Sequence, residues 1–304
     1  KEKMSSPKPW IRNLTPITES LLAGVVGLVI GALIMLAFGY NPIAAYRSLF
    51  VGSVGSVYSW AELFANATPL ILTALTFAIA MRGGLFNIGA EGQLYMGALA
   101  AVSVSLLHLP APFNWIVAIL AAMVAGMIWS LPVALLKLGR GVHEVISTIM
   151  FNWIAHFFAF YLIANVLTDP QRGERTIAIS ESARLTRVFP DATLNSGLLI
   201  SLVTVGVIFF LLWRTSTGFE IRSAGYNPHA SHYAGISIRK QVLRVFLIGG
   251  AIAGLAGAIV VMGNADDRVI STSGADDRFE VVPQVFVDST DRVLDNQEFG
   301  RDVI

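Results

Sequence analysis

Seven runs of predominantly apolar residues, each near the length a helix needs to cross a bilayer, restrict this chain to one class of structure. They cover about 20–39, 62–81, 86–107, 115–136, 143–165, 196–213 and 241–262. A helix rises about 1.5 Å per residue, so about 20 apolar residues traverse a hydrocarbon core of roughly 30 Å. Within lipid the backbone polar groups must be satisfied inside the segment, and a helix does this. The chain is 55% hydrophobic and 13% charged, far from a soluble domain. The expected fold is all-α, a polytopic transmembrane helix bundle of about seven spans. Cysteine is absent, which excludes disulfides, thiolate nucleophiles and thiolate metal sites.

The basic residues sort the connections. Lys1, Lys3, Lys8 and Arg12 precede the first run, Arg82 follows the second, Lys137 and Arg140 the fourth, and Arg214, Arg222, Arg239 and Lys240 the sixth. The opposite connections hold Arg47, nothing in 108–114, and Arg172, Arg175, Arg184 and Arg187 in the long loop 166–195. The short-loop bias places the N-terminus in the cytoplasm, and long loops translocate largely regardless of charge. Residues 1–19 then form a cytoplasmic N-terminal segment with no cleavable signal pattern. It begins at Lys and reads as trimmed or incomplete. Residues 20–262 form the transmembrane domain, and 263–304 a polar tail. Asn41-Pro42 opens an expected short helix on the external face. Gly27-x-x-x-Gly31 and Gly250-x-x-x-Gly254 offer faces for close helix packing.

Between the second and third runs lies Gly83-Gly84-Leu85-Phe86-Asn87-Ile88-Gly89-Ala90-Glu91-Gly92-Gln93. Glycines here permit a break in the helix and close backbone approach. A carboxylate at membrane depth costs roughly 2.5–3.5 kcal/mol, so Glu91 fits either a wet pathway within a bundle or a solvated turn. These two readings weigh about equally on composition.

Other constellations exclude chemistry. His143-Glu144 resembles the start of a zinc-protease helix, but the position for the second histidine is Ser147, so the ligand set is missing. Glu144 instead suits the positive end of a helix dipole. Asn152 and His156, one turn apart, either hydrogen-bond across helices or line a polar path, and packing is favoured. There is no phosphate-cradling P-loop and no nucleophile elbow. Uphill movement of a solute would need a partner or an ion gradient. A standalone carrier or channel using Glu91 is one alternative, and a membrane enzyme has no nucleophile, metal or cofactor site to work with.

The connection 214–240 is the second signal. Asn227-Pro228 reads as a helix cap followed by its first residue, and Gly235 as a stop, which predicts a short helix over 228–234. Such a helix flanked by glycines looks built to be gripped by another protein.

Taken together, these residues resemble a known family. Gly84 to Gln93 looks like the signature of permease subunits of bacterial ABC importers related to the branched-chain amino acid and ribose permeases. Val142-His143-Glu144-Val145-Ile146-Ser147-Thr148-Ile149-Met150-Phe151-Asn152 is similar to a run of the nucleoside and simple-sugar branch, with His143 and Phe151 as departures. Gly218 to Ile236 resembles the cytoplasmic coupling loop. The resemblance implies a permease in the bacterial inner membrane. It would form the path for a nucleoside or simple-sugar-like solute and be driven by a separate ATP-binding cassette subunit. A second permease, an extracytoplasmic solute-binding lipoprotein and membrane lipid complete the expected partners. No enzyme activity, cofactor, metal or nucleic acid is expected. Phe86, Asn87, Glu91, Gln93, Asn152 and Trp153 are the expected pathway residues. Asn87, Gln93 and Asn152 would hydrogen-bond the solute while Phe86 or Trp153 stacks, and Gly89 and Gly92 would hold a helix break. Gly218, Arg222, Gly225, Asn227, Pro228, Ala230 and Gly235 are the expected coupling residues.

After Met262 the resemblance stops. Family members continue with apolar spans, whereas 263–304 carries ten acidic residues from Asp266 to Asp302 against four arginines. Two readings compete, an extracytoplasmic tail and a frameshifted or truncated ending, and the abrupt change of composition favours the second.

Overall fold

The computed structural model describes residues 9–107, 109–169, 172–177, 179–188 and 192–263, and for 9–17, 169 and 172–175 the backbone alone. The expected acidic tail lies outside these residues beyond Gly263. Two compact units divide at Trp60 and Ala61.

The first unit holds α1 (Pro9–Ala37) and α2 (Pro42–Val54). Asn41 caps α2, its Oδ1 accepting from the amides of Ile43 and Ala44 at 3.0 and 3.3 Å. The Tyr46 hydroxyl donates to the Leu28 carbonyl at 2.6 Å. Gly31 leaves the room for that hydroxyl, whereas Gly27 faces open space. Of the first glycine pair, then, one member packs.

The second unit takes in most of α3 (Val57–Arg82), then α4 (Ala90–Ser105), α5 (Phe113–Arg140), α6 (Glu144–Asn165), α7 (Gly197–Arg214), α8 (Ser216–Tyr226), α9 (Pro228–Tyr233) and α10 (Ile238–Gly263). Among the described residues six helices are long and apolar enough to cross a membrane: α3, α5, α6, α7, α10 and the Thr18–Ala37 part of α1. The run expected over 86–107 behaves differently. Residues 85–88 are not helical, and α4 has only 16 residues, so at about 1.5 Å each a crossing here needs the extended stretch as well as the helix.

The core centres on α10, buried at nearly every position from Gly249 to Gly263. A helix apolar on all sides belongs inside a bundle, and α10 packs against α5 and α4. Gly126 of α5 meets Gly250 and Gly254 of α10, where a β-carbon on Gly126 would run into the Gly250 carbonyl. The expected close-packing face is therefore used, but its partner glycine sits on another helix. Outward, Leu120, Ile128, Phe157, Leu199, Phe209 and Phe210 are more than half exposed, as a lipid-facing surface requires.

The connection 166–195, expected as a long loop, carries regular structure among its described residues. β1 (Thr168–Asp169) pairs antiparallel with β2 (Arg172–Thr176), and a 3-10 turn follows at Glu181–Ala183. Leu167, Ile179, Ala183, Leu185, Ala192 and Leu194 are buried and anchor it. Glu62 of α3 accepts from the Thr193 amide at 2.8 Å and the Thr193 hydroxyl at 2.6 Å.

Candidate functional site

The site begins at the corner after α3. Gly84 has φ of +69°, a conformation that a side chain rarely adopts, and Leu85 donates its amide back to the Ala80 carbonyl. The chain then runs unhelical to Ile88 and restarts as α4 at Ala90. A helix start leaves amides without partners, and Gly89 has no side chain to cap them. Asn152 of α6 supplies the cap from another helix. Its Oδ1 accepts from the Gly92 amide at 2.9 Å and its Nδ2 donates to the Ile88 carbonyl at 3.0 Å. Gly92 is tightly enclosed, since a β-carbon there would lie 3.0 Å from Ala155 and Asn152 and the neighbours would have to give.

Asn87 and Gln93 close the break from within. The Gly89 amide donates to Asn87 Oδ1 at 3.0 Å, and the two side-chain amides exchange bonds of 3.3 and 3.4 Å. Both residues are 1% exposed. Asn87, Gln93 and Asn152 thus come together around the start of α4, with their amides spent on the protein. Phe86, Glu91 and Trp153 differ: each is exposed, Phe86 making an edge contact with Phe77 at 6.1 Å. Tyr95 donates its hydroxyl to Glu91 Oε1 at 2.9 Å, an (i, i+4) pair legible from the sequence but not singled out there.

At the opposite edge of the same segment lies the connection 214–240. The sequence predicts one short helix, and the structure has two. Thr215 caps α8 by accepting from the Gly218 amide at 3.1 Å. Asn227 caps α9 by accepting from the Ala230 amide at 3.0 Å, Pro228 is its first residue, and Gly235 follows with φ of +82°. Gly218, Ile221 and Ala224 bury one face of α8, while Asn227, Pro228, Ala230 and Gly235 are exposed. Tyr226, just before α9, and Tyr233, its last residue, are 89% and 92% exposed. Gly225 packs backbone to backbone on Arg82, Gly83 and Gly84, and its α-carbon lies 3.0 Å from where a Gly84 β-carbon would stand. Arg222 stacks over Trp213 with its guanidinium carbon 4.4 Å from the ring centroid, and Arg82 approaches the same ring at 5.7 Å. Glu220 accepts from Gln241 at 2.6 Å and Arg244 at 2.7 Å, tying α8 to α10.

The turn between α5 and α6 is clamped by Lys137 and Glu144 at 2.5 Å, a partner for Glu144 that spacing alone did not identify. His143 caps α6, its Nδ1 accepting from the Val145 amide at 3.4 Å. Among the described residues no three His, Asp or Glu side chains converge to hold a metal.

Comparison with known proteins places this arrangement. Residues 59–272, more than half of the chain, match the family described as the permease component of branched-chain amino acid transport systems. The guanosine ABC transporter permease protein of Bacillus subtilis is 41% identical over 265 residues, covering 83% of this chain and 74% of the relative. The nucleoside ABC transporter permease protein of Lactococcus lactis is 37% identical, over 84% and 73%. The glucose ABC transporter permease protein of Haloferax volcanii is 32% identical, over 84% and 69%. No solved structure matches the chain. The chain belongs to the family of permease components of branched-chain amino acid transport systems, and so is a multi-pass membrane transport subunit and not an enzyme.

Proposed function

We propose that this permease component lines the pathway of an ABC importer for a nucleoside or simple-sugar-like solute, driven by a separate ATP-binding subunit docked on α9. The observation that carries the reading is the contact between Gly225 and Gly84, which joins the helix next to α9 to the corner leading into the start of α4. Movement of α9 reaches that corner through packed backbone with no flexible linker between. The exposed Tyr226 and Tyr233 beside α9 fit a surface that a partner covers. Relatives named for guanosine, nucleosides and glucose support the solute class.

In this reading Gly218, Arg222 and Gly225 seat α8, while Asn227, Pro228, Ala230 and Gly235 shape the docking helix. Phe86, Glu91 and Trp153 border the pathway, and Asn87, Gln93 and Asn152 hold the α4 start that forms its wall. The N-terminus and the 214–240 connection lie in the cytoplasm, as the basic residues favour, which requires the 85–107 segment to cross as an extended stretch followed by α4. An extracytoplasmic solute-binding lipoprotein and a second permease complete the importer.

The test is uptake of labelled guanosine and glucose by cells making the whole complex, with Gly225→Leu or Ala230→Trp in this chain. Both variants are expected to lose ATP-driven uptake while still inserting in the membrane. Undiminished uptake in both would overturn the coupling role, and uptake of neither solute by the unaltered complex would overturn the solute class.

A further inference from the structure

Glu91 remains the unexplained group of the α4 start. It is exposed, beside Phe86 and Ile88, which are 44% and 42% exposed. Its neighbours among the amides are all engaged with one another, and it takes no part in their network. Instead, Tyr95 holds one of its oxygens at 2.9 Å, and among the described residues the other oxygen has no hydrogen-bond donor. Tyr95 meets the His156 ring edge to face at 6.2 Å, and His156 meets the Trp153 ring in the same way at 5.9 Å. Glu91 and Tyr95, one turn apart on α4, and Trp153 and His156, one turn apart on α6, therefore line the same side of the crossing that the Gly92–Asn152 bond fixes. Trp153 is 61% exposed.

A carboxylate with one oxygen oriented and one open, on the same side as an indole that stacks on Phe157 at 6.2 Å with one face and is otherwise exposed, is a recognisable pair of functions. The open oxygen accepts hydrogen bonds from vicinal hydroxyls, as an acidic side chain does with ribose. The indole stacks on a flat heterocycle. The rings of Tyr95 and His156 fill the space between and keep both in place. A carboxylate turned toward lipid would be costly, so this face meets water, a polar solute or the second permease across the pathway.

We propose that Glu91 and Trp153 form a binding site for a ribonucleoside within the pathway. Glu91 takes the 2′- and 3′-hydroxyls, Trp153 stacks on the base, and Tyr95 positions the carboxylate. The site refuses nucleotides, whose phosphate brings like charge toward Glu91. The inference rests on the nucleoside reading above and adds to it the part of the solute that is read.

The test uses the complete transporter, with its ATP-binding subunit and external binder, in proteoliposomes. Uptake of uridine, 2′,3′-dideoxyuridine and uridine monophosphate is compared for the unaltered chain, Glu91→Gln, Tyr95→Phe and Trp153→Ala. The binder is the same throughout, so a change in the ratio of kcat/KM between two solutes originates in the permease. A site built to bond a hydroxyl discriminates strongly against solutes lacking it, so Glu91→Gln is expected to lower the uridine-to-dideoxyuridine ratio about tenfold or more. Tyr95→Phe is expected to lower it by a smaller factor, with KM rising and kcat held. Trp153→Ala is expected to weaken both nucleosides alike and leave the ratio alone. Glu91→Gln is also expected to raise uptake of the monophosphate. An unchanged ratio in both Glu91→Gln and Tyr95→Phe would overturn the site while leaving nucleoside transport intact. If the unaltered complex takes up no nucleoside, the solute reading and the site fall together. If Glu91→Gln does not reach the membrane, Tyr95→Phe decides by itself.

Discussion

Asn152 of α6 closes the broken start of α4: its Oδ1 accepts the Gly92 amide at 2.9 Å while its Nδ2 donates to the Ile88 carbonyl at 3.0 Å. One side chain thereby satisfies a donor and an acceptor that no helical turn can satisfy. Asn152→Leu leaves both backbone groups without partners. It is expected to destabilise the protein by about 1–3 kcal/mol, chiefly through the part-buried Gly92 amide, since the Ile88 carbonyl belongs to an exposed residue. Thermal unfolding in detergent measures this, with Asn152→Asp expected to fall between the two because it keeps the acceptor.

Lys137 and Glu144 clamp the turn from α5 to α6. Glu144 is buried, so Lys137→Met leaves a carboxylate without compensation, while the double variant with Glu144→Gln removes the charge as well. The single change is expected to cost about 3 kcal/mol, at the low end for a buried pair because the lysine side chain is 30% exposed. The double variant should recover most of that loss. Equal melting temperatures for single and double variants would show that the ion pair contributes little.

Glu62 receives both the amide and the hydroxyl of Thr193, pinning the 166–195 connection to α3. A cycle of Glu62→Gln, Thr193→Val and their combination is expected to give a coupling energy of about 1–3 kcal/mol. Proteolysis of the connection should quicken in either single variant.

At the α5–α10 crossing there is no space for a side chain between Gly126 and Gly250. Gly126→Val has to push the helices apart, at a cost of about 1–3 kcal/mol or more. Gly206 of α7, which faces open space, serves as the control, and Gly206→Val is expected to leave the melting temperature nearly unchanged. Similar losses at the two sites would show that backbone proximity at the crossing is not what Gly126 serves.

The absence of cysteine permits a clean reading of sidedness. A single cysteine at Ala230 is expected to react with impermeant maleimide only when the cytoplasmic face is open. Labelling from outside intact cells would reverse the assigned orientation.

Two local capping signals were legible in the sequence. Asn41-Pro42 and Asn227-Pro228 cap α2 and α9 as expected, because a cap acts within one turn of its own chain. Six of the seven apolar runs became long helices, since a run of that length has no other way to satisfy its backbone away from water. The membrane class of the protein and the position of its glycine-rich signature therefore followed from the amino-acid order.

Only the tertiary structure decided what the signature does. The run over 86–107 carries enough apolar residues for a span, yet its helix begins only at Ala90, and Asn152, 60 residues further along, takes the Gly92 amide in its first turn. The pairing of Gly225 with Gly84, of Gly126 with Gly250, and of Trp213 with Arg82 likewise joins segments far apart in the chain. Close approach depends on what both surfaces lack at the point where they meet. A sequence read one segment at a time shows each glycine but not its opposite number.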